Sequence, residues 1–269
     1  MTGVTDTELA FLSGSPVRVS ILERLTTVVA QPSELVDHTG VSRTTVHRTL
    51  SELVDRNWAR RVDGGYTATG AGALALDVYR TARTRFRTLE RVEPVLSELD
   101  APLEGEIGLS WLETAAVETA TEGNPQRPLE WYVDRLEAVD GDRLRGVTPI
   151  VSRQFMTAHA PIVFGGTPTA LVVGEEAFRA VREQYPEKLR ESIALEGYEL
   201  SVAAAEPSMG ITLYGEHVFL GAYEEGRLLA VVDSTDDRLR SWARTRYCRY
   251  ADDARPAEEL VGRPDRVDR

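Results

Sequence analysis

Apolar residues set the first elements of the chain. Val17, Ile21, Leu22, Leu25 and Val28 recur at steps of three and four, the spacing of one helix face. Ser15-Pro16 supplies a cap and a first-turn proline for that helix. Gln31-Pro32 interrupts it, and Ser33 is placed to cap a short helix through Leu35, Val36 and His38. Thr39-Gly40 turns the chain. Ser42 then caps a helix from Arg43 to Arg56 with Val46, Leu50, Leu53 and Val54 inward. From Trp58 to Thr69 the pattern changes to alternation around Gly64-Gly65, the mark of a hairpin. The helical period resumes at Gly70 and persists to about Leu99.

Two helices joined by a glycine turn, then a hairpin, read as a winged helix-turn-helix. The motif asks for apolar residues before the turn (Leu35, Val36), a glycine in it (Gly40) and an apolar plug after it (Val41). It also asks for a buried residue in the second helix (Val46). Val36 departs mildly, because a smaller residue is commoner there. The outward set is Ser42, Arg43, Thr44, Thr45, His47 and Arg48, without a carboxylate. Arginine pairs two ways with guanine and hydroxyls reach bases or phosphates, so this set is the expected contact with double-stranded DNA. Arg60 and Arg61 precede the hairpin turn and are expected at phosphates or the minor groove. Trp58 reads as core. The competing reading is a protein-interaction module of the transcription machinery that uses the winged helix for partner contact.

Along the long helix, Tyr79, Ala82, Phe86, Leu89, Val92, Leu96 and Leu99 form a coiled-coil-like stripe. Tyr79, Phe86, Leu89 and Leu96 are expected at a homodimer contact, the alternative cover being the second domain. Ala101 to Gly105 looks like a linker. Beyond it, Ile107 to Glu118 reads as helix or mixed structure, and Leu129–Val139 as helix. Leu144–Val151 is a strand, Arg153–Val163 a helix and Ala170–Val173 a buried strand. Two helices (177–184, 187–195), four strands (198–204, 210–214, 217–223, 228–232) and a closing helix at 236–254 follow. The expected fold class is α+β. Its parts are a DNA-binding domain at 1–70, a linking helix at 71–100, an α/β regulatory or effector-sensing domain at 101–255 and a flexible tail at 256–269.

Charge adds a second layer. The 269 residues carry a net charge of −12, and Lys188 is the only lysine among 31 basic residues. Residues 1–95 are net +1 and residues 96–269 net −13. Such asymmetry points to a nucleic-acid-facing N-terminal part, or to chance differences in composition. Acidic, lysine-poor composition suggests a salt-rich cytoplasm. Without Gly-Lys-[Ser/Thr] there is no Walker A loop, and Cys248, the sole cysteine, rules out an internal disulfide and a cysteine-rich zinc site. With no signal-like start and no apolar run long enough to span a bilayer, the expectation is a cytoplasmic protein without membrane contact.

Ser15-Pro16-Val17-Arg18, the run Gly40 to Leu50 and Trp58 to Arg61 resemble archaeal winged-helix transcriptional regulators. Gly215-Glu216-His217-Val218-Phe219-Leu220-Gly221, Val232-Asp233-Ser234 and Trp242-Ala243 are similar to the C-terminal domain of the methanogenesis-regulatory (filamentation regulator) type, common in halophilic archaea. The resemblance covers most of residues 9–255. It implies a regulator whose second domain senses a partner or ligand.

No catalytic residue, cofactor or metal is expected. The C-terminal part has neither His-Glu-x-x-His nor Gly-x-Ser-x-Gly. Some archaeal regulator domains resemble phospholipase D, whose chemistry needs His-x-Lys, and neither His159 nor His217 has a lysine two residues on. His217 reads as surface or packing. An anionic small-molecule effector is the candidate ligand for Arg153, with Thr148 and Ser152 beside it and Asp233 and Ser234 ending another strand. Ordinary strand-end polar contacts are the alternative for the same residues, and a protein effector is the alternative partner.

Overall fold

The computed structural model describes residues 4–97 and 107–261, so Leu99 and the linker at 101–105 lie outside the described residues. The chain divides into two units, residues 1–87 and 88–269.

Unit 1 contains α1 (Val4–Ser13), α2 (Pro16–Thr27), α3 (Pro32–Thr39), α4 (Arg43–Asp55), β1 (Ala59–Val62) and β2 (Gly65–Ala68). It also takes in most of α5 (Gly70–Leu96). Ile21, Leu22, Leu25, Leu35, Val46, Leu50 and Leu53 are buried in one core. Each such side chain contributes about 1.5–3 kcal/mol on leaving water. Ala30 pairs with Tyr66 through N–H···O contacts of 3.0 and 2.9 Å, which adds a third short strand to the β1–β2 hairpin. This is the winged helix-turn-helix that the spacing predicts.

Two local details differ from the sequence reading. Helix α1 was not expected, yet Phe11 and Leu12 are core residues and Trp58 meets Phe11 edge-on at 5.8 Å. Short helix α3 begins at Pro32, not after a Ser33 cap. Gln31 is the cap, and the Glu34 carboxylate accepts from the Gln31 N–H at 2.6 Å.

Unit 2 holds β3 (Ala116–Thr119), α6 (Arg127–Glu137), β4 (Leu144–Thr148), α7 (Arg153–Phe164) and β5 (Thr169–Val173). Then come α8 (Glu175–Gln184), α9 (Pro186–Ile193), β6 (Tyr198–Val202), β7 (Met209–Tyr214), β8 (His217–Glu224) and β9 (Arg227–Ser234). The last described elements are α10 (Asp237–Asp252), β10 (Arg255–Pro256) and α11 (Ala257–Val261). One mixed sheet runs β10-β6-β5-β4-β7-β8-β9-β3. Strands β4, β5 and β6 are parallel, because α7 and then α8–α9 return the chain to the same end. The other pairings are antiparallel.

Side chains alternate across this sheet, so its two faces carry separate cores. One face meets Tyr132 and Leu136 of α6 and Phe155 of α7, and further along Phe178 of α8 and Leu189 of α9. The other meets Leu239, Ala243 and Tyr247 of α10 and Val92 and Val95 from the end of α5. The segment 107–118 takes the mixed form of the two expected, a 3-10 turn and the start of β3, because Ala116 to Thr119 pair with β9. One expectation is corrected here. Residues 256–261, placed in the flexible tail, are ordered: Pro256 pairs with Ser201 and Ala257 is fully buried.

Candidate nucleic-acid interface and effector cavity

Gly40 lets the turn before α4 close, since its φ of 72° lies in the left-handed region. Ser42 then caps α4: its Oγ accepts from the Thr45 N–H at 3.2 Å and lies 3.0 Å from Thr45 Oγ1. These two hydroxyls are therefore already engaged with each other. Arg43, Thr44, His47 and Arg48 are exposed, while Val46, Thr49, Leu50 and Leu53 face the core. At about 100° per residue, the four exposed residues and Ser51 share one arc. Ser51 was not singled out from sequence, although its step of four from His47 places it there. The first turn of α4 contains no acid. Glu52, the first carboxylate of the helix, is turned away and accepts from Arg18 Nε at 3.1 Å. A helix N-terminus with free N–H groups and no carboxylate attracts phosphate.

The wing separates its two arginines. Arg60 pairs across to Thr67 and Arg61 to Tyr66, and both are exposed. Neighbours on a strand point to opposite faces, so one surface takes only one of them. Two further arginines serve the fold: the Arg18 and Arg56 guanidinium carbons lie 4.2 and 3.8 Å from the Phe11 ring centre. Each is also ion-paired, to Glu52 and Glu8 respectively.

The stripe on α5 is divided between roles. Tyr79 packs on the unit 1 core, and Leu96 packs on the unit 2 core beside Val92. Phe86 and Leu89 remain 62% and 40% exposed. Leu74 and Val78, outside that stripe, are 69% and 64% exposed. With Phe86 they follow steps of four and eight along one helix face of unit 1.

The residues proposed from sequence for an effector do not converge. Thr148 is buried at the C-terminal end of β4, and its hydroxyl donates to the Ile150 carbonyl at 2.7 Å. Ser152 caps α7 and Arg153 is exposed in its first turn. Asp233 and Ser234 lie three strands away on β9, toward the other end of the sheet, where Ser234 is level with Val218 and Leu213. Asp233 is occupied: His217 Nδ1–H donates to Oδ1 at 2.7 Å, and Arg135 lies 3.4 Å from Oδ2.

A cavity of about 340 Å³ opens instead between α7, α8, α9 and the ends of the parallel strands. Phe155, Val163, Phe178, Leu189 and Leu200 line it, with Thr148, His159 and Tyr198 among its polar members. Only Thr148 belongs to the set named from sequence. The signal that could have found the rest is the strand–helix–strand order after β4 and β5. His159 is buried and neutral. Its Nδ1–H donates to the Phe155 carbonyl at 2.8 Å, so Nε2 accepts from the Tyr132 hydroxyl at 3.0 Å. Burial pushes His159 down to about 4, and pushes Tyr198 and Tyr223 up to about 12 and Tyr132 higher still. Among the described residues no group of three or more His, Cys, Asp or Glu could hold a metal ion, and no helix is long and apolar enough to cross a membrane.

Residues 125–253 match the family described as methanogenesis regulatory protein FilR1, middle domain, and residues 6–91 match the HVO_A0261 N-terminal domain. No curated protein matches. Among solved structures the chain is similar to TrmBL2, described as an archaeal chromatin protein with a novel mode of DNA binding. That likeness has 14% identity and a TM-score of 0.41, over 94% of this chain and 99% of that one. It is also similar to Nuc of Salmonella typhimurium, a phospholipase D family member (12% identity, 53% of this chain, 97% of that chain, TM-score 0.41). NucT of Helicobacter pylori gives 9% identity, 53% of this chain, 98% of that chain and a TM-score of 0.39. Scores this low carry nothing about activity.

Proposed function

We propose that this chain is an archaeal transcriptional regulator that reads double-stranded DNA through the first two turns of α4, a reading supported by its matches to a FilR1 middle domain and to the HVO_A0261 N-terminal domain. The observation that carries the reading is the exposed arc of Arg43, Thr44, His47, Arg48 and Ser51, in which no carboxylate competes with a phosphate or base edge. Arg43 and Arg48 have no ion-pair partner among the described residues, unlike Arg18 and Arg56, so they are available for bidentate contacts. One wing arginine tracks the flanking backbone.

The active species in this reading is a homodimer on a pseudo-palindromic site, held through the α5 face of Leu74, Val78 and Phe86. Unit 2 takes up a small-molecule effector. The cavity against α7 has the composition of an effector site, mostly apolar with a few polar groups to orient a ligand. The setting is a cytoplasm rich in salt, where long-range repulsion from the acidic unit is screened within about 3 Å at 1 M ionic strength.

The test is a gel shift in molar KCl with the region upstream of the protein's own gene. The expected result is a retarded band that random competitor does not remove. Arg43→Ala should weaken that band by about 1–3 kcal/mol and relax base preference. Unchanged affinity in Arg43→Ala would show that α4 is not the reading helix.

A further inference from the structure

Unit 2 has a second concavity, on the opposite face of the sheet from the apolar cavity. It encloses about 580 Å³ where α10 crosses the β4–β7 pair, and it is lined by Arg143, Arg145, Arg240 and Arg244 with Ser241. Asp142 and Asp237 line it as well. Four guanidinium groups against two carboxylates is a local excess of positive charge in the part of the chain that is net −13 beyond Val95.

The site is built by two firm elements. Asp237, Arg240, Ser241 and Arg244 follow steps of three, four and seven, one stripe of α10, whose Leu239 and Ala243 are fully buried on the sheet. Arg145 belongs to β4 and is level with Leu213 of β7. Arg143 is held by the loop before β4, which rests on the β7–β8 turn. There Gly215 has a φ of +56°, and a Cβ on it would meet the Asp140 carbonyl oxygen. The same turn is tied to the helix, since Arg240 Nη2 donates to the Gly215 carbonyl at 2.9 Å.

Only one of the four arginines is spent locally. Arg240 Nη1 lies 3.3 Å from exposed Asp237, whereas Arg143, Arg145 and Arg244 form no ion pair among the described residues. Three unpaired guanidiniums facing one space repel one another, and an anion that bridges them removes that cost. We propose that this pocket binds a compact, multiply charged phosphate anion, either a polyphosphate or the phosphate tail of a nucleotide. Planar guanidinium forks match phosphate oxygens two at a time, and Ser241 adds a hydroxyl donor. A duplex is disfavoured as the occupant, because its backbone would continue past the pocket over Asp142, Asp237 and the rest of an acidic unit. The proposal extends unit 2 beyond the apolar cavity and does not require that cavity to be filled.

The experiment is calorimetric titration of the full chain with inorganic tripolyphosphate, with ATP and with sulfate, at one fixed ionic strength. The expected result is one tripolyphosphate or ATP per chain, with sulfate much weaker. The Arg143→Gln/Arg244→Gln double variant should bind at least tenfold more weakly while melting like the parent without ligand. Both side chains are exposed, so folding should not be at stake, and the Arg143→Lys/Arg244→Lys pair, which keeps the charge at the same positions, should retain binding in part. Tighter ATP than tripolyphosphate identifies a nucleotide, and equal affinity identifies the phosphate chain alone. Undiminished binding by the double variant, or sulfate binding as well as tripolyphosphate, overturns the proposal. So does duplex DNA that displaces tripolyphosphate and loses affinity in the double variant, because the pocket would then be a DNA contact. Arg43→Ala separates the two readings: it should lose DNA affinity and keep tripolyphosphate.

Discussion

Helices α4 and α10 both begin at a side-chain cap and both present arginines, but they use them differently. Ser42 opens α4 with a neutral hydroxyl, and the arginines behind it stay free. Asp236 opens α10 with a carboxylate that accepts from the Arg238 and Leu239 N–H groups. It also binds the Arg238 guanidinium at 2.7 and 3.1 Å, and that hydrogen bond is the main reason its pKa is lowered. Asp237 holds Arg240 in the same turn. Arginine content alone therefore misleads as a guide to anion contact: on α10, Arg238 and Arg240 are held by Asp236 and Asp237, whereas Arg244 forms no ion pair among the described residues. What matters is which carboxylates stand within reach.

Acid offers the largest separation of the two units. His159 is neutral in the folded state, with a pKa near 4 against about 6.5 unfolded, so the unfolded chain binds more protons between these values. Unit 2 should lose stability as pH falls from about 6.5 to 4, by a total of about 3 kcal/mol. Unit 1 has no buried titratable side chain among its described residues and should not follow. Hydrogen exchange resolved by unit would read this, and His159→Gln should abolish the window.

Cap removal should act next. Ser42→Ala and Asp236→Ala should each cost about 1 kcal/mol in thermal or urea unfolding. The Asp236→Ala change also frees Arg238. A gain in anion affinity at that end of α10 would sharpen the contrast, and none would blunt it. The smallest effect is at the wing. Arg61→Ala should weaken specific and random duplexes equally and reduce the slope of log affinity against log salt by about 0.9, one phosphate's share. A change in base preference would mean that Arg61 reads sequence.

Much of the fold was legible because strong periodicities coincide with short, polar turns. Strands β7, β8 and β9 come from alternation between Gly215-Glu216 and Glu224-Glu225-Gly226, and their ladders fix the middle of the sheet. Helix α1 was missed because its residues become a helix that packs only once Phe11 has Trp58, Arg18 and Arg56 around it, partners about 7 to 47 residues distant in sequence. Strand β3 was missed for a similar reason: Ala116–Thr119 has weak alternation and is made a strand by β9. In the α4 surface, side-chain identity and a single helical period suffice to place Arg43, Thr44, His47 and Arg48. The effector residues failed because strand ends that look equivalent in sequence belong to antiparallel strands. Thr148 and Ser234 therefore finish toward different ends of the sheet.

The borders of that sheet carry a consequence for self-association. One border is β10, two residues long, and its Pro256 has no N–H to offer. The other is four-residue β3, whose Glu118 accepts from Arg127 Nε at 2.6 Å beside it. Short, charged or proline-bearing edges are poor templates for an incoming strand. Crowding copies of this chain together should therefore leave the sheet at its own width, and any pairing of copies falls to helix surfaces, where a clash or a charge can still undo it.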